Sequence, residues 1–103
     1  MSKYGLHGKL KATPGNGEKL AEILLKASKL VSATKGCNLY LISSDKDENE
    51  TFWVTEVWDS KDDHDQSLKT EGAVELVLQA LPILDGQPKR GHELDVLGGF
   101  GFR

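Results

Sequence analysis

Cysteine, long apolar runs, repeats and surplus positive charge are all scarce in this 103-residue chain, and each shortage closes off a class of protein. Cys37 is the single cysteine, so the chain can form no internal disulfide and no cysteine-based metal cluster. No apolar run approaches the roughly 18 residues of a membrane span, which argues against a membrane partner. The opening stretch MSKYGLHGKL lacks the apolar segment of a signal peptide, and a cytoplasmic protein is the expectation. The sequon Asn49-Glu50-Thr51 is accordingly taken as chance. A formal net charge of −3 speaks against nucleic acid or an anionic membrane surface as the main partner. With no repeat and no low-complexity segment, a single domain over residues 1–103 is expected, with a core over about 4–97 and a C-terminal tail over 98–103.

What is present is ordinary in amount, with 38% hydrophobic and 28% charged residues, as in soluble globular domains. A chain this short buries only about two thirds of its unfolded surface, so core positions are few. Residues 4–12 alternate, with Tyr4, Leu6, Leu10 and Ala12 on one face and His7, Lys9 and Lys11 on the other, the pattern of a half-buried strand. Thr13 to Gly17 is dense turn chemistry in which Asn16 suits a helix N-cap. Leu20, Ile23, Leu24, Ala27, Leu30 and Val31 then recur at helical spacing, and Gly36 suits a left-handed stop. Residues 37–43 form a short apolar strand, and 51–58, rich in aromatic and β-branched residues, a second. Ser60 with Asp63 starts a helix in the manner of a capping box, and Gly72 breaks or kinks it. A further periodic stretch runs from Ala73 to Leu84, and residues 90–97 close with a strand on which Leu94 and Val96 share a face. The order β-α-β-β-α-β predicts a ferredoxin-like α+β fold, with both helices on one face of a four-stranded antiparallel sheet.

Several candidate sites fail on residue chemistry. Asp45, Asp47, Asn49 and Glu56 imitate a calcium loop, but Glu50 holds the position that needs glycine and the flanks are strands. RNA-recognition domains share this element order, yet residues 51–58 lack their basic residues and glycine. Cys37 has no base beside it in sequence and fits a buried structural thiol. His7, His64 and His92 lie on three elements without metal-ligand spacing.

The stretch VTEVWDSKDDHDQSL, residues 54–68, is less easily dismissed. Glu56 shares a strand face with Phe52, Val54 and Trp58; if Leu68 faces the sheet, His64 and Ser67 lie on or beside the same stripe. Burying a carboxylate costs several kcal/mol unless it is hydrogen-bonded or paired. A ligand pocket between helix and sheet is one reason for that cost. A helix cap or cation pair for Glu56, with His64 at a frayed helix start, is another, and the residues alone leave both open.

Glu56-Val57-Trp58-Asp59-Ser60, a strand ending in E-x-W before an acidic-Ser helix start, resembles the antibiotic biosynthesis monooxygenase family, which includes small quinol monooxygenases. Pro14-Gly15 after the first strand and Gly36-Cys37 entering the second fit the same pattern, and the likeness runs from about Tyr4 to Val96. The resemblance implies a dimeric α/β-barrel with one pocket per subunit. It further implies oxidation of a quinol or polycyclic phenol by molecular oxygen without flavin, metal or other cofactor; some relatives degrade haem. Family members commonly carry a histidine in the second helix where this chain has Ser67, nine residues after Trp58, with His64 one turn earlier.

The function expected is a cofactor-independent monooxygenase acting on a small aromatic diol, quinol or polycyclic phenol, with molecular oxygen as co-substrate. A base works best with its pKa near the working pH, which favours His64 as proton acceptor. Ser67 and Tyr40 would orient substrate oxygens, Trp58 would give an aromatic wall, Glu56 would orient a donor or pair with a cation, and His92 is an outside candidate. The Ser67 departure favours the alternative, a non-catalytic ligand-binding or structural dimer; a haem-degrading enzyme is a third reading. Two helices cover only one face of such a sheet. Trp53, Val57, Tyr40 and Ile42 are expected on the uncovered face, Leu39 and Leu41 on the helix side, and the apolar patch predicts a homodimer. Phe100 and Phe102 in the tail would then anchor on the partner.

Overall fold

The computed structural model describes residues 2–86 and 91–102. Its elements are β1 (Lys3–Lys11), α1 (Gly17–Ser32), β2 (Cys37–Ser44), β3 (Thr51–Trp58), α2 (Lys61–Ser67), α3 (Ala73–Ala80) and β4 (His92–Val96), with a single 3-10 turn at Leu81–Ile83. The strands are antiparallel in the order β2-β3-β1-β4, the expected ferredoxin-like α+β arrangement. Residue 90, where the closing strand is expected to begin, lies outside the described residues. Among the described residues no helix is long and apolar enough to cross a membrane.

Local chemistry explains most boundaries. The Ser60 hydroxyl accepts the Asp63 N–H at 3.1 Å and caps α2. Gly72, at φ +91°, divides the second helical stretch into α2 and α3, because the left-handed region is open to glycine at little cost. The N-terminus of α1 departs from expectation. Asn16 makes no side-chain cap and instead donates to Thr13 Oγ1. Glu50, itself at φ +56°, reaches over from the β2–β3 loop and accepts the N–H groups of Gly15 at 3.1 Å and Gly17 at 2.7 Å. A carboxylate satisfies two donors at the positive end of the helix, where a neutral amide would do less.

The sheet register overturns the expected sidedness of β2. Cys37 pairs with Trp58 but Leu39 pairs with Val57, so an extra residue, Asn38, is accommodated in a bulge. One inserted residue inverts everything after it. Tyr40 and Ile42 therefore stand opposite Glu56 and Val54 on the helix-covered face, and Leu39 and Leu41 join Trp53, Thr55 and Val57 on the other. Asn38 is held in the bulge by donating to the Gly36 carbonyl at 2.9 Å and to Asp59 Oδ1 at 3.0 Å.

Two core clusters form under the helices. One joins Leu20, Ile23 and Leu24 of α1 to Ala12, Phe52, Val54 and Ile83. The other is smaller and holds Val31, Cys37 and a fully buried Trp58, with Tyr4 and Tyr40 against it. The polar residues in question lie beside this second cluster.

Candidate active site

Strand alternation carries Glu56 inward with Val54 and Trp58, and the Ser60 cap aims the first turns of α2 at the same point. Glu56, His64 and Ser67 are all buried. Leu68, just past the end of α2, is half exposed, while His64 and Ser67 are buried on the inward side of the helix.

The Glu56 carboxylate is bonded on one side and open on the other. Its Oε1 accepts the indole N–H of Trp58 at 2.9 Å and lies 3.7 Å from His64 Nε2, an ion-pair distance rather than a hydrogen bond. The His64 ring is fixed by Tyr4 at 5.5 Å, by the edge of Trp58 at 5.8 Å and by Asp65, whose Oδ1 lies 3.0 Å from Nδ1. Glu56 also lines a cavity of about 170 Å³, together with Leu6, Leu10, Leu24, Val54 and Tyr40 and with Gly8, Lys9 and Gly91. No fully buried side-chain oxygen or nitrogen among the described residues lacks a partner, whereas among those residues Glu56 Oε2 and the Tyr40 hydroxyl make no hydrogen bond, so both keep some accessible surface. Both atoms are therefore reachable from the cavity.

Burial dominates the electrostatics here. It pushes the Glu56 carboxyl above the usual carboxylate range, against the opposing pull of the Trp58 hydrogen bond and nearby His64. Burial likewise pushes the Tyr40 phenol well above its ordinary value, and the neighbouring Glu56 and then Cys37 add to the rise. Both groups therefore favour their neutral, protonated forms more strongly than they would in water. A second cavity of about 230 Å³ is almost wholly apolar; it shares Leu10, Leu24 and Tyr40 with the first and extends between α1 and α3 past Leu76 and Ala80.

Of the residues singled out in sequence, Glu56, His64, Trp58 and Tyr40 come together. His64 stands behind Glu56 and does not line the cavity. Ser67 is buried but donates its hydroxyl to the His64 carbonyl, so it braces the helix and lines neither cavity. His92 is exposed on β4 opposite His7, on the uncovered face of the sheet, and is not part of the site. Sequence reasoning misses Asp65, whose only signal is adjacency to His64, and the apolar walls Leu10 and Leu24, which look like any core leucine. Among the described residues no group of three or more His, Cys, Asp or Glu side chains is placed to hold a metal ion.

A ferredoxin-like domain with a carboxylate opening on a cavity between sheet and helices defines the class. The chain belongs to the antibiotic biosynthesis monooxygenase family, whose family model matches residues 4–77. It is similar to a structure from Chloroflexus aurantiacus J-10-fl that bears the same family name, at 33% identity and a TM-score of 0.88 over 99% of this chain and 100% of that one. A Pseudomonas aeruginosa protein is 21% identical, with a TM-score of 0.84 over 95% of this chain and 97% of its own. SnoaB, a cofactor-independent oxygenase from Streptomyces nogalater, shares the fold at 9% identity, with a TM-score of 0.72 over 82% and 86% of the two chains. No curated protein matches the chain.

Proposed function

We propose that this protein is a cofactor-independent monooxygenase that oxidises a phenol or quinol with an apolar body, using molecular oxygen. One observation carries the reading: Glu56 and Tyr40 line a cavity that shares Tyr40, Leu10 and Leu24 with a neighbouring apolar one. A phenolic head at Glu56 and Tyr40, with the ring system along Leu10 and Leu24, matches that distribution of polar and apolar wall. SnoaB, of the same fold, is an oxygenase of the proposed kind.

Catalysis then begins with removal of the phenolic proton, because the phenolate gives up an electron to oxygen far more readily than the phenol. One oxygen atom enters the substrate and the other leaves as water, both reductions drawing on the substrate, so no outside reductant is needed. Glu56 replaces His64 as the group facing the substrate, since only Glu56 lines the cavity. Tyr40 orients the substrate oxygen and Trp58 holds Glu56 in place. Oxygen uptake with a panel of naphthalene and anthracene diols tests the proposal; rates at the enzyme-free background, or an unaltered rate in Glu56→Gln, would sink it. The Ser67 departure favours a non-catalytic binding dimer instead. Thermal stabilisation by the same diols without turnover would select that reading.

We also propose a homodimer formed through the uncovered sheet face. Trp53, Leu39, Leu41 and Leu94 form its apolar surface, in place of the patch that included Tyr40 and Ile42. Leu97 and Phe100 stand fully exposed in the tail, which gives the partner something to hold. Sedimentation equilibrium should show a dimer that Trp53→Glu dissociates; a stable wild-type monomer at micromolar concentration overturns this.

A further inference from the structure

We propose that Asp65 is a positioning residue that sets the tautomer of His64 and so opens a proton path from the cavity, through Glu56 and His64, to solvent. Asp65 sits at the surface end of the chain of contacts, with its side chain 44% exposed. Its Oδ1 lies 3.0 Å from His64 Nδ1 and its Oδ2 3.0 Å from Lys61 Nζ. The bonds from His64 and then Lys61 hold the Asp65 carboxyl below the usual carboxylate range. An ionised carboxylate can only accept, so the shared proton belongs to Nδ1. On a neutral ring the lone pair is then at Nε2, the atom that faces Glu56 Oε1 at 3.7 Å.

The two carboxylates thus hold opposite ends of one imidazole. Substrate O–H breaks as an O–H bond forms on Glu56, and the carboxyl proton of Glu56 passes to His64 Nε2. A proton then leaves Nδ1 by way of Asp65 to water. One proton enters and one leaves at each group, and no electrons move. The 3.7 Å gap is of the kind that closes when a substrate is bound. Among the described residues the side chains that meet the ring are Tyr4 from β1, Glu56 and Trp58 from β3, and Asp65 on its own helix. None of them would hold Nδ1–H if Asp65 were removed.

The path rests on the proposed function for its purpose, but the tautomer can be measured without any substrate. In uniformly 15N-labelled protein, with the imidazole in its neutral form, the ring-nitrogen shifts should place the proton on Nδ1. Asp65→Ala should move it to Nε2, whereas Asp65→Asn, which keeps an acceptor oxygen, should leave it on Nδ1. With 1,4-dihydroxynaphthalene as probe, Asp65→Ala should lose on the order of ten- to a hundredfold in oxygen uptake and displace the pH profile, with Asp65→Asn in between. A wild-type ring protonated at Nε2, or an Asp65→Ala ring still protonated at Nδ1, overturns the positioning role. Wild-type turnover in Asp65→Ala with the tautomer moved overturns the path. A tautomer that responds as expected in a protein that oxidises no quinol supports the positioning and sinks only the proposed function.

Discussion

Two tryptophan–carboxylate pairs, one on each face of the sheet, make nearly the same hydrogen bond and yet have opposite acid–base character. Trp58 donates to Glu56 at 2.9 Å on the covered face, and Trp53 donates to Asp45 at 2.8 Å on the uncovered one. Each tryptophan also has a histidine beside it: His64 meets the edge of Trp58 at 5.8 Å, while His7 stacks on Trp53 at 4.9 Å. The indole bond, the largest influence on Asp45, draws its carboxyl below the usual range. The same bond at Glu56 is outweighed, because burial pushes that carboxyl up. Desolvation, not the hydrogen-bond partner, decides which carboxyl is raised and which is lowered.

The comparison breaks most completely if the two faces of β2 are exchanged. Asn38→Val removes the two side-chain hydrogen bonds that hold the bulge, and regular pairing onward from Cys37 would send Tyr40 and Ile42 outward and Leu39 and Leu41 inward; a cooperative urea transition by circular dichroism should disappear. A protein that still unfolds cooperatively, with Tyr40 buried, would refute the role given to the bulge. Next in size is Glu56→Gln, which keeps an acceptor for Trp58 but cannot take a proton. Turnover should fall on the order of a hundredfold or more, while Asp45→Asn, the same change on the other face, leaves it at the wild-type level.

Stability against pH should separate the pairs with opposite sign. The folded pKa of Glu56 is raised, so between its ordinary value and the folded one the native state binds more protons than the unfolded. Stability therefore declines as pH rises through that window and levels off above it, and Glu56→Gln should lose that slope. The folded pKa of Asp45 is depressed; its contribution is present above the ordinary aspartate value and lost as pH falls through the folded one. Asp45→Asn should flatten the acid limb instead. Urea melts across this range give both slopes, and slopes of the same sign would contradict the contrast. The smallest effect belongs to His7→Ala, which removes the stack on Trp53 and should cost about 0.5–1.5 kcal/mol in a urea melt without changing turnover.

Much of this was written in local chemistry. The alternation in Thr51–Trp58, the Ser60 cap and the break at Gly72 depend on neighbours a few residues away, and the sequence by itself determined them, together with the inward turn of Glu56. The family likeness around Glu56-Val57-Trp58 was legible for the same reason. Tertiary structure decided what depends on segments far apart. Tyr40 faces the site only because a bulge at Asn38 shifts the pairing of β2 with β3. Glu50 caps α1 across 33 residues of chain, where Asn16 was the local candidate. His92 lands beside His7 because β4 pairs with β1, on the face away from Glu56. His64 and Glu56 exchanged places in the proposed chemistry because the helix packs its imidazole behind the carboxylate, not over the cavity. Local propensity and period are properties of the chain, whereas register and depth exist only once distant segments have paired and water has been excluded between them.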